Sequence, residues 1–296
     1  MPLKTAQDFD QDLLILFDAY VHGTIDRRGF LERAQKFAVG GLTAAGLLTA
    51  LSPDFAQAQV VPTNDVRIKT ELVEYASPAG SGSMKGFLAK PAQMTGKLPV
   101  VLVVHENRGL NPHIEDITRR LALDNFVAFA PDALTPLGGY PGDEDKAREQ
   151  FAKLDQKKTA EDFVAAASYV KGRPESSGKL GAVGFCFGGG VVHMLSTRLP
   201  DLHAGVPFYG NHPVASDAVK VRAPLLIQFA GIDDRINAAW PAYEAALKAA
   251  NANYTAHTYA GTQHGFNNDT TPRFDAAAAA LAWTRTIDFF NKTLRA

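Results

Sequence analysis

The chain has 296 residues, 46% of them hydrophobic and 21% charged, which excludes a disordered polyelectrolyte and leaves ample apolar material for a core. Basic and acidic residues nearly cancel, 30 against 31, for a formal net charge of −1; a general nucleic-acid binder would carry a basic excess. A single cysteine excludes an intramolecular disulfide framework and any multi-cysteine metal site.

The first 58 residues read differently from the rest. Asp8, Asp10, Asp12 and Asp18 surround the apolar run Leu13-Leu14-Ile15-Leu16-Phe17, which can pack as a helix. Asp26-Arg27-Arg28-Gly29-Phe30-Leu31 then sets two arginines before an apolar pair, Phe37 to Pro53 is uncharged, and Ala56-Gln57-Ala58 is a small-x-small site. That order is the order of an export signal, and the paired arginines resemble the bacterial twin-arginine type. This reading expects the export machinery as a partner, a mature chain starting near Gln59, and a periplasmic or exported protein. The long acidic lead departs from the pattern. One alternative is a retained helical arm that docks on the protein or a second subunit, leaving it cytoplasmic; the other is an uncleaved anchor. No uncharged run reaches the roughly 20 residues of a confident membrane span.

From residue 66 strands and helices alternate. Val66 to Glu74 alternates apolar and polar, as a half-exposed edge strand does, and Met84 to Lys90 follows a Gly-Ser turn. Leu98 to Val104 and Phe126 to Ala130 are nearly continuous apolar runs, the mark of strands buried on both faces. Lys179 to Phe185, Ala204 to Phe208, Pro224 to Ala230 and Tyr254 to Tyr259 are further strands. Helical spacing covers Ile114–Asp124, Asp143–Val170, Gly188–Leu199, Ala238–Ala250 and Phe274–Leu294. Such alternation predicts an α/β protein, a mostly parallel sheet with helices on both faces, as one domain over 59–296. Function is then expected at the carboxyl ends of the strands.

The cysteine stands in Gly184-Phe185-Cys186-Phe187-Gly188-Gly189, after a strand and at the start of a helix. This is the G-x-S-x-G nucleophile elbow with Cys in the serine position. A helix N-terminus behind the sulfur favours a thiolate, and the Phe187 N–H is a natural oxyanion donor. The elbow needs an acid and then a histidine further along the chain. His264, in the loop after the last strand, is the expected base, with His212 as the fallback. Gly231-Ile232-Asp233-Asp234-Arg235-Ile236 offers two acids; Asp233, three positions before an aliphatic residue, is the expected one. The loop Val104-His105-Glu106-Asn107-Arg108-Gly109 ends another strand. Its Asn107 N–H is the second candidate oxyanion donor. Glu106 would aim a carboxylate into the site, or else pair with Arg108 or Arg235. Tyr209, Trp240 and Phe266 are candidate pocket walls. The spacing of His105, Glu106, His113 and Glu115 fits no metal motif, and no metal or cofactor is expected.

Together the Cys186 elbow, Glu106, Asp233 with Arg235-Ile236, and His264-Gly265-Phe266 resemble the dienelactone hydrolase family over roughly residues 66–293. The resemblance implies an α/β-hydrolase fold, a Cys186–Asp233–His264 triad and carboxymethylenebutenolidase-type lactone opening. It also implies that Glu106 holds the resting thiol and helps generate the thiolate, and that Arg108 and Arg235 are candidate holders of a substrate carboxylate. The expected function is hydrolysis of a small-molecule ester or lactone through a thioester, by a monomer or small homo-oligomer. A broad carboxylesterase or thioesterase, or a thiol-redox protein on the same scaffold, are the alternatives.

Overall fold

Asp10, Asp26 and Thr43 each precede a run with helical spacing, and each caps a helix with its side-chain oxygen. These helices are α1 (Gln11–Val21), α2 (Arg27–Ala34) and α3 (Ala44–Leu51). They open the computed structural model of the protein, which describes residues 4–55 and 59–296. The three bury a small core of their own, in which Leu13, Leu14, Phe17, Tyr20, Phe30, Leu47, Leu48 and Leu51 meet. From the apolar stretch expected to be a signal core, Leu47, Leu48 and Leu51 face inward, whereas Val39 and Leu42 are exposed. The expected cleavage site, Ala56-Gln57-Ala58, lies outside the described residues. Among the described residues no helix is long and apolar enough to cross a membrane.

The rest of the chain runs β1 (Ile68–Ser77), β2 (Gly82–Pro91), β3 (Leu98–Val104), α4 (Pro112–Leu123), β4 (Val127–Pro131), α5 (Glu144–Phe151) and α6 (Gln156–Lys171). It continues with β5 (Ser176–Phe185), α7 (Phe187–Arg198), β6 (Ala204–Phe208), β7 (Leu225–Ile232), α8 (Asp234–Asn237), α9 (Trp240–Ala249), β8 (Tyr254–Gln263) and α10 (Ala276–Leu294). The strands form one eight-stranded sheet in the order β1-β2-β4-β3-β5-β6-β7-β8. The β1–β2 and β2–β4 pairs are antiparallel, and every pair from β4 to β8 is parallel. Alternation along β3 decides what packs where. Val101 and Val103 join the core under α4 and α10, while Val100, Leu102 and Val104 join the core under α6 and α7. The expected α/β architecture is the α/β-hydrolase fold.

The differences from the sequence reading lie at element ends. The mostly helical stretch expected over 143–170 is two helices, because Asp155 accepts bonds from the Lys157 and Lys158 amides and starts α6 afresh. The helix expected over Ala238–Ala250 is α9, with Pro241 in its first turn, and the short α8 precedes it without having been expected. The last strand runs on to Gln263, paired with Ile232 across an irregularity in which β8 carries the extra residues. That extension brings the ends of β7 and β8 level, and it fixes the geometry of the site.

Candidate active site

The parallel strands deliver four loops to one edge. Phe185, the end of β5, leads directly into Cys186 and then α7. Cys186 holds φ at +56°, a left-handed conformation that a residue with a side chain adopts only under constraint. Its N–H bonds the Phe208 carbonyl at 3.1 Å, which helps to hold the turn. The flanking glycines are required by close approach. A Cβ on Gly184 would stand 2.2 Å from the Gly188 carbonyl oxygen, and one on Gly188 would stand 2.2 Å from that of Val104. As the first residue of α7, Phe187 has an N–H with no acceptor inside the helix. Asn107 lines the same cavity as Cys186 and Phe187.

Asp233 follows the end of β7, and His264 follows the end of β8. Both are buried, and His264 Nδ1 lies 2.6 Å from Asp233 Oδ2. The His264 Nε2 is buried and has no hydrogen-bond partner. Asp234 is exposed, so the two candidate acids are separated by orientation alone. Burial opposes charge on the His264 ring, but the Cys186 thiolate and the Asp233 carboxylate raise it to about 10. Burial likewise opposes the thiolate, yet His22 and His264 bring Cys186 down to about 6. Between those values the pair is a thiolate and an imidazolium.

His22 is absent from every reading of the sequence above. It caps the C-terminus of α1 and reaches from the arm into the site. Its Nε2 lies 3.3 Å from Cys186 Sγ, and its Nδ1 lies 3.2 Å from Asp18 Oδ1 and 2.9 Å from the Asp18 carbonyl oxygen. The sulfur thus stands between two Asp–His pairs, one from the sheet and one from the arm. A signal for this was present: Asp18 and His22 are four apart on a helix whose other face is Leu13, Leu14 and Phe17. Nothing local ties that helix to a cysteine 164 positions away.

Glu106 is not on the thiol. Its Oε2 accepts a bond from Asn268 Nδ2 at 2.8 Å, and neither Arg108 nor Arg235 is its partner. Arg108 is buried, pairs with Glu144 at 3.5 Å and reaches the Val21 carbonyl of the arm. It lies outside the cavity wall. Asp18 sits 3.7 Å from Arg235 and 3.3 Å from Arg273, so both cations already face a carboxylate.

A cavity of about 630 Å³ opens at the sulfur. Its walls include Val21, His22, Arg148, Phe151, Phe187, Tyr209 and Arg235. Two candidate wall residues are elsewhere. Phe266 is fully buried among Phe208, Tyr209 and Tyr259, and Trp240 packs on Phe229 and His212. Aromatic content near a strand end does not tell a wall from a core residue, and here the core wins for both. His212 stacks on Tyr243, and burial lowers it to about 4; the fallback base is a packing residue.

A nitrogen of each histidine and the sulfur lie within 4.8 Å of one another, a donor set that a thiophilic metal ion favours. The guanidinium of Arg235, 3.1 Å from His22 Nε2, places positive charge against that position. The chemistry to which the arrangement is suited is nucleophilic: an ionised thiol, two imidazoles and free amides at a helix start.

Comparison with known proteins bears on the family and the fold. Residues 84–294 match the model of the dienelactone hydrolase family, and residues 1–39 match a separate model described as YqhI-like. A hydrolase fragment of Escherichia coli K12 named YghX is 50% identical over 114 residues, 38% of this chain and 97% of the fragment. A Yersinia pestis protein named a carboxymethylenebutenolidase is 31% identical over 234 residues, covering 74% of this chain and 87% of its own. A crystal structure from Klebsiella pneumoniae, named a dienelactone hydrolase, superposes with a TM-score of 0.66 at 26% identity, over 76% of this chain and 99% of that one.

Proposed function

The chain belongs to the dienelactone hydrolase family and is a hydrolase, and from that premise we propose that it cleaves activated esters or enol-lactones through a Cys186 thioester. The observation that carries the reading is the buried Asp233–His264 pair beside an ionised cysteine on a strained elbow. The thiolate attacks the acyl carbon, and the Phe187 and Asn107 N–H groups take the developing oxyanion, a contribution of about 2.7–4 kcal/mol per donor. The tetrahedral adduct collapses to the thioester as the oxygen leaving group takes the proton held by His264. Neutral His264, oriented by Asp233, then draws a proton from water, and the hydroxide releases the acid and the thiolate. A thiolate leaves more readily than an alkoxide, so simple alkyl esters would revert, whereas phenyl esters and enol-lactones go forward.

The charge around the cavity narrows the substrate further. Arg108, Arg235 and Arg273 each already face a carboxylate of the protein. Arg148, in the cavity wall, bonds Tyr20 and is ion-paired to no carboxylate among the described residues, so it is the cation left for a negative group on the substrate. Incubation with p-nitrophenyl acetate and with a dienelactone, followed by mass spectrometry, tests the proposal. An acyl adduct on Cys186 with turnover, both lost in Cys186→Ala, is expected. A free, alkylatable thiol that never acylates would overturn it.

Residues 4–55 belong to the working protein in this reading. Their support is the arm's own apolar core, the Asn107 amide bonded to the Val21 carbonyl at 2.9 Å and the Arg27–Asp145 pair at 2.5 Å, which uses one of the two signal arginines. Export with cleavage near Gln59 would remove Asp18 and His22 from the site. Intact mass and N-terminal sequencing of the native protein test this: a start near Gln59 returns the export reading.

A further inference from the structure

We propose that His22, supplied by the N-terminal arm, is a catalytic residue that holds Cys186 as a thiolate in the resting enzyme, so that ionisation of the nucleophile does not wait for substrate and does not depend on Glu106. The inference deepens the hydrolase reading and rests on it for the word catalytic; the state of the thiol is read without any substrate.

Four observations converge on it. His22 Nε2 is 3.3 Å from the sulfur, whereas the Glu106 carboxylate is engaged by Asn268. His22 Nδ1 is anchored on Asp18, as His264 Nδ1 is on Asp233, so each ring is orientated by a carboxylate; the far nitrogen of His22 is shared between the sulfur and Arg235. His22 stands at the C-terminal end of α1, where helix carbonyls favour a cation, and Cys186 stands at the N-terminal end of α7, where free amides favour an anion. The two helices present complementary ends to the same ion pair. Finally, burial opposes charge on His22, but the thiolate and Asp18 raise its proton affinity above the ordinary value.

The proton bookkeeping is simple. With His22 neutral, Nδ1–H donates to Asp18 and Nε2 accepts the S–H proton. Transfer of that proton leaves Sγ anionic and His22 an imidazolium that donates back to it. No bond other than S–H breaks and no co-reactant is needed. The charged groups facing the pair are His264 and Asp233 from the ends of β8 and β7, and Asp18 on α1. Arg235 and Arg273 pair with Asp18, Arg235 also stands 3.1 Å from His22 Nε2, and Glu106, on the loop after β3, is held by Asn268. Arg235 opposes a proton on that nitrogen, whereas the thiolate and Asp18 favour it. When the sulfur is acylated its charge disappears, and His22 loses the main partner that favours its protonation.

His22→Gln keeps an amide in the position and removes the charge. Thiolate absorbance near 240 nm and the iodoacetamide rate, each followed against pH in the full chain, read the effect. The expected result is a Cys186 midpoint about one unit higher, hence about fivefold slower alkylation at pH 6, converging with the unsubstituted protein at alkaline pH. An unchanged midpoint, or a shift that appears in Glu106→Gln instead, overturns the proposal. Should His22→Gln fail to fold, the unsubstituted protein decides: capping Cys186 with iodoacetamide should lower the titration midpoint of His22 by histidine NMR, and a midpoint that stays put overturns the proposal equally. A shifted thiol midpoint with no ester turned over would uphold this inference and defeat the hydrolase mechanism. Turnover with the thiol indifferent to His22 would do the reverse.

Discussion

The two imidazoles beside Cys186 reach it by different construction. His264 sits on the end of a strand registered to its neighbour through seven paired positions, and Asp233 ends that neighbour. Neither can move without the sheet. His22 sits on a helix of 11 residues whose apolar face packs within the arm, and it is tied to the body by ion pairs and by the Val21 carbonyl. One histidine is positioned by backbone pairing and the other by docking. Backbone pairing resists local loss because it is shared with the core; docking is a separate equilibrium, set by fewer and more polar contacts.

Substitution can break this comparison on either side. The largest effect is expected on the sheet side. Asp233→Asn removes the carboxylate that orientates His264 and should cost about 10²–10⁴-fold in kcat/KM, the span of a lost general acid–base function. Asp234→Asn, at the exposed neighbour, should leave the rate within about twofold, because surface substitutions alter little. A large loss from Asp234→Asn in a steady-state ester assay would reverse the assignment of the acid.

On the arm side, Phe30 is fully buried and packs edge-on to Phe17 at 6.2 Å and against Tyr20 at 5.5 Å. Phe30→Ala should cost about 3–5 kcal/mol within the arm, since a large void in a small core is poorly refilled. The expected signature is split: alkylation of Cys186 acquires the pH dependence of His22→Gln, while the main melting transition of the sheet holds. A single transition lowered as a whole would mean that arm and sheet unfold as one unit.

The pH profile reads both sides together. Below about 6 the thiol is protonated and kcat/KM should fall by tenfold per unit; above about 10 His264 loses the proton owed to the leaving group and the rate should fall again. A plateau between these limits, measured with p-nitrophenyl acetate corrected for its spontaneous hydrolysis, is the expected form. The smallest effect concerns selectivity. Asp18→Asn leaves Arg235 and Arg273 without their shared carboxylate, so the ratio of rates on an anionic and a neutral ester should rise a few-fold, in line with the ~0.2–1 kcal/mol of a partly exposed pair. Taking the ratio cancels the accompanying effect on His22.

Much of the sheet side was legible because its signals are local. Apolar runs, the glycines around Cys186 and the order of Cys, Asp and His need only a few neighbouring residues to be recognised. Asp233 was separable from Asp234 by its distance to Ile236, which is buried while Asp234 is not. The arm resisted reading for the opposite reason. Its apolar and basic residues satisfy the ordering of an export signal, and the partners that they have in the fold, Asp145 for Arg27 and Phe17 and Tyr20 for Phe30, are contacts made in three dimensions. Glu106 failed in the same way. Its approach to the site followed from a strand end, but its partner Asn268 lies 162 positions away, on a loop for which the sequence carried no expectation. Trp240 and Phe266 show a third limit, since an aromatic ring lines a cavity or fills a core with the same side chain.

The arm is joined to the body through residues spread along the chain, Asn107, Asp145 and Arg148 as well as Arg235, Gln263, Thr270 and Arg273. During synthesis it precedes every part of its seat, and the seat is completed late. At roughly 5–20 residues per second, the interval between synthesis of His22 and that of Arg235 is on the order of ten to forty seconds. Throughout it the arm has its own small core and only part of its seat. On the proposal made for His22, ionisation of the thiol would then follow the docking of the arm rather than the closing of the elbow.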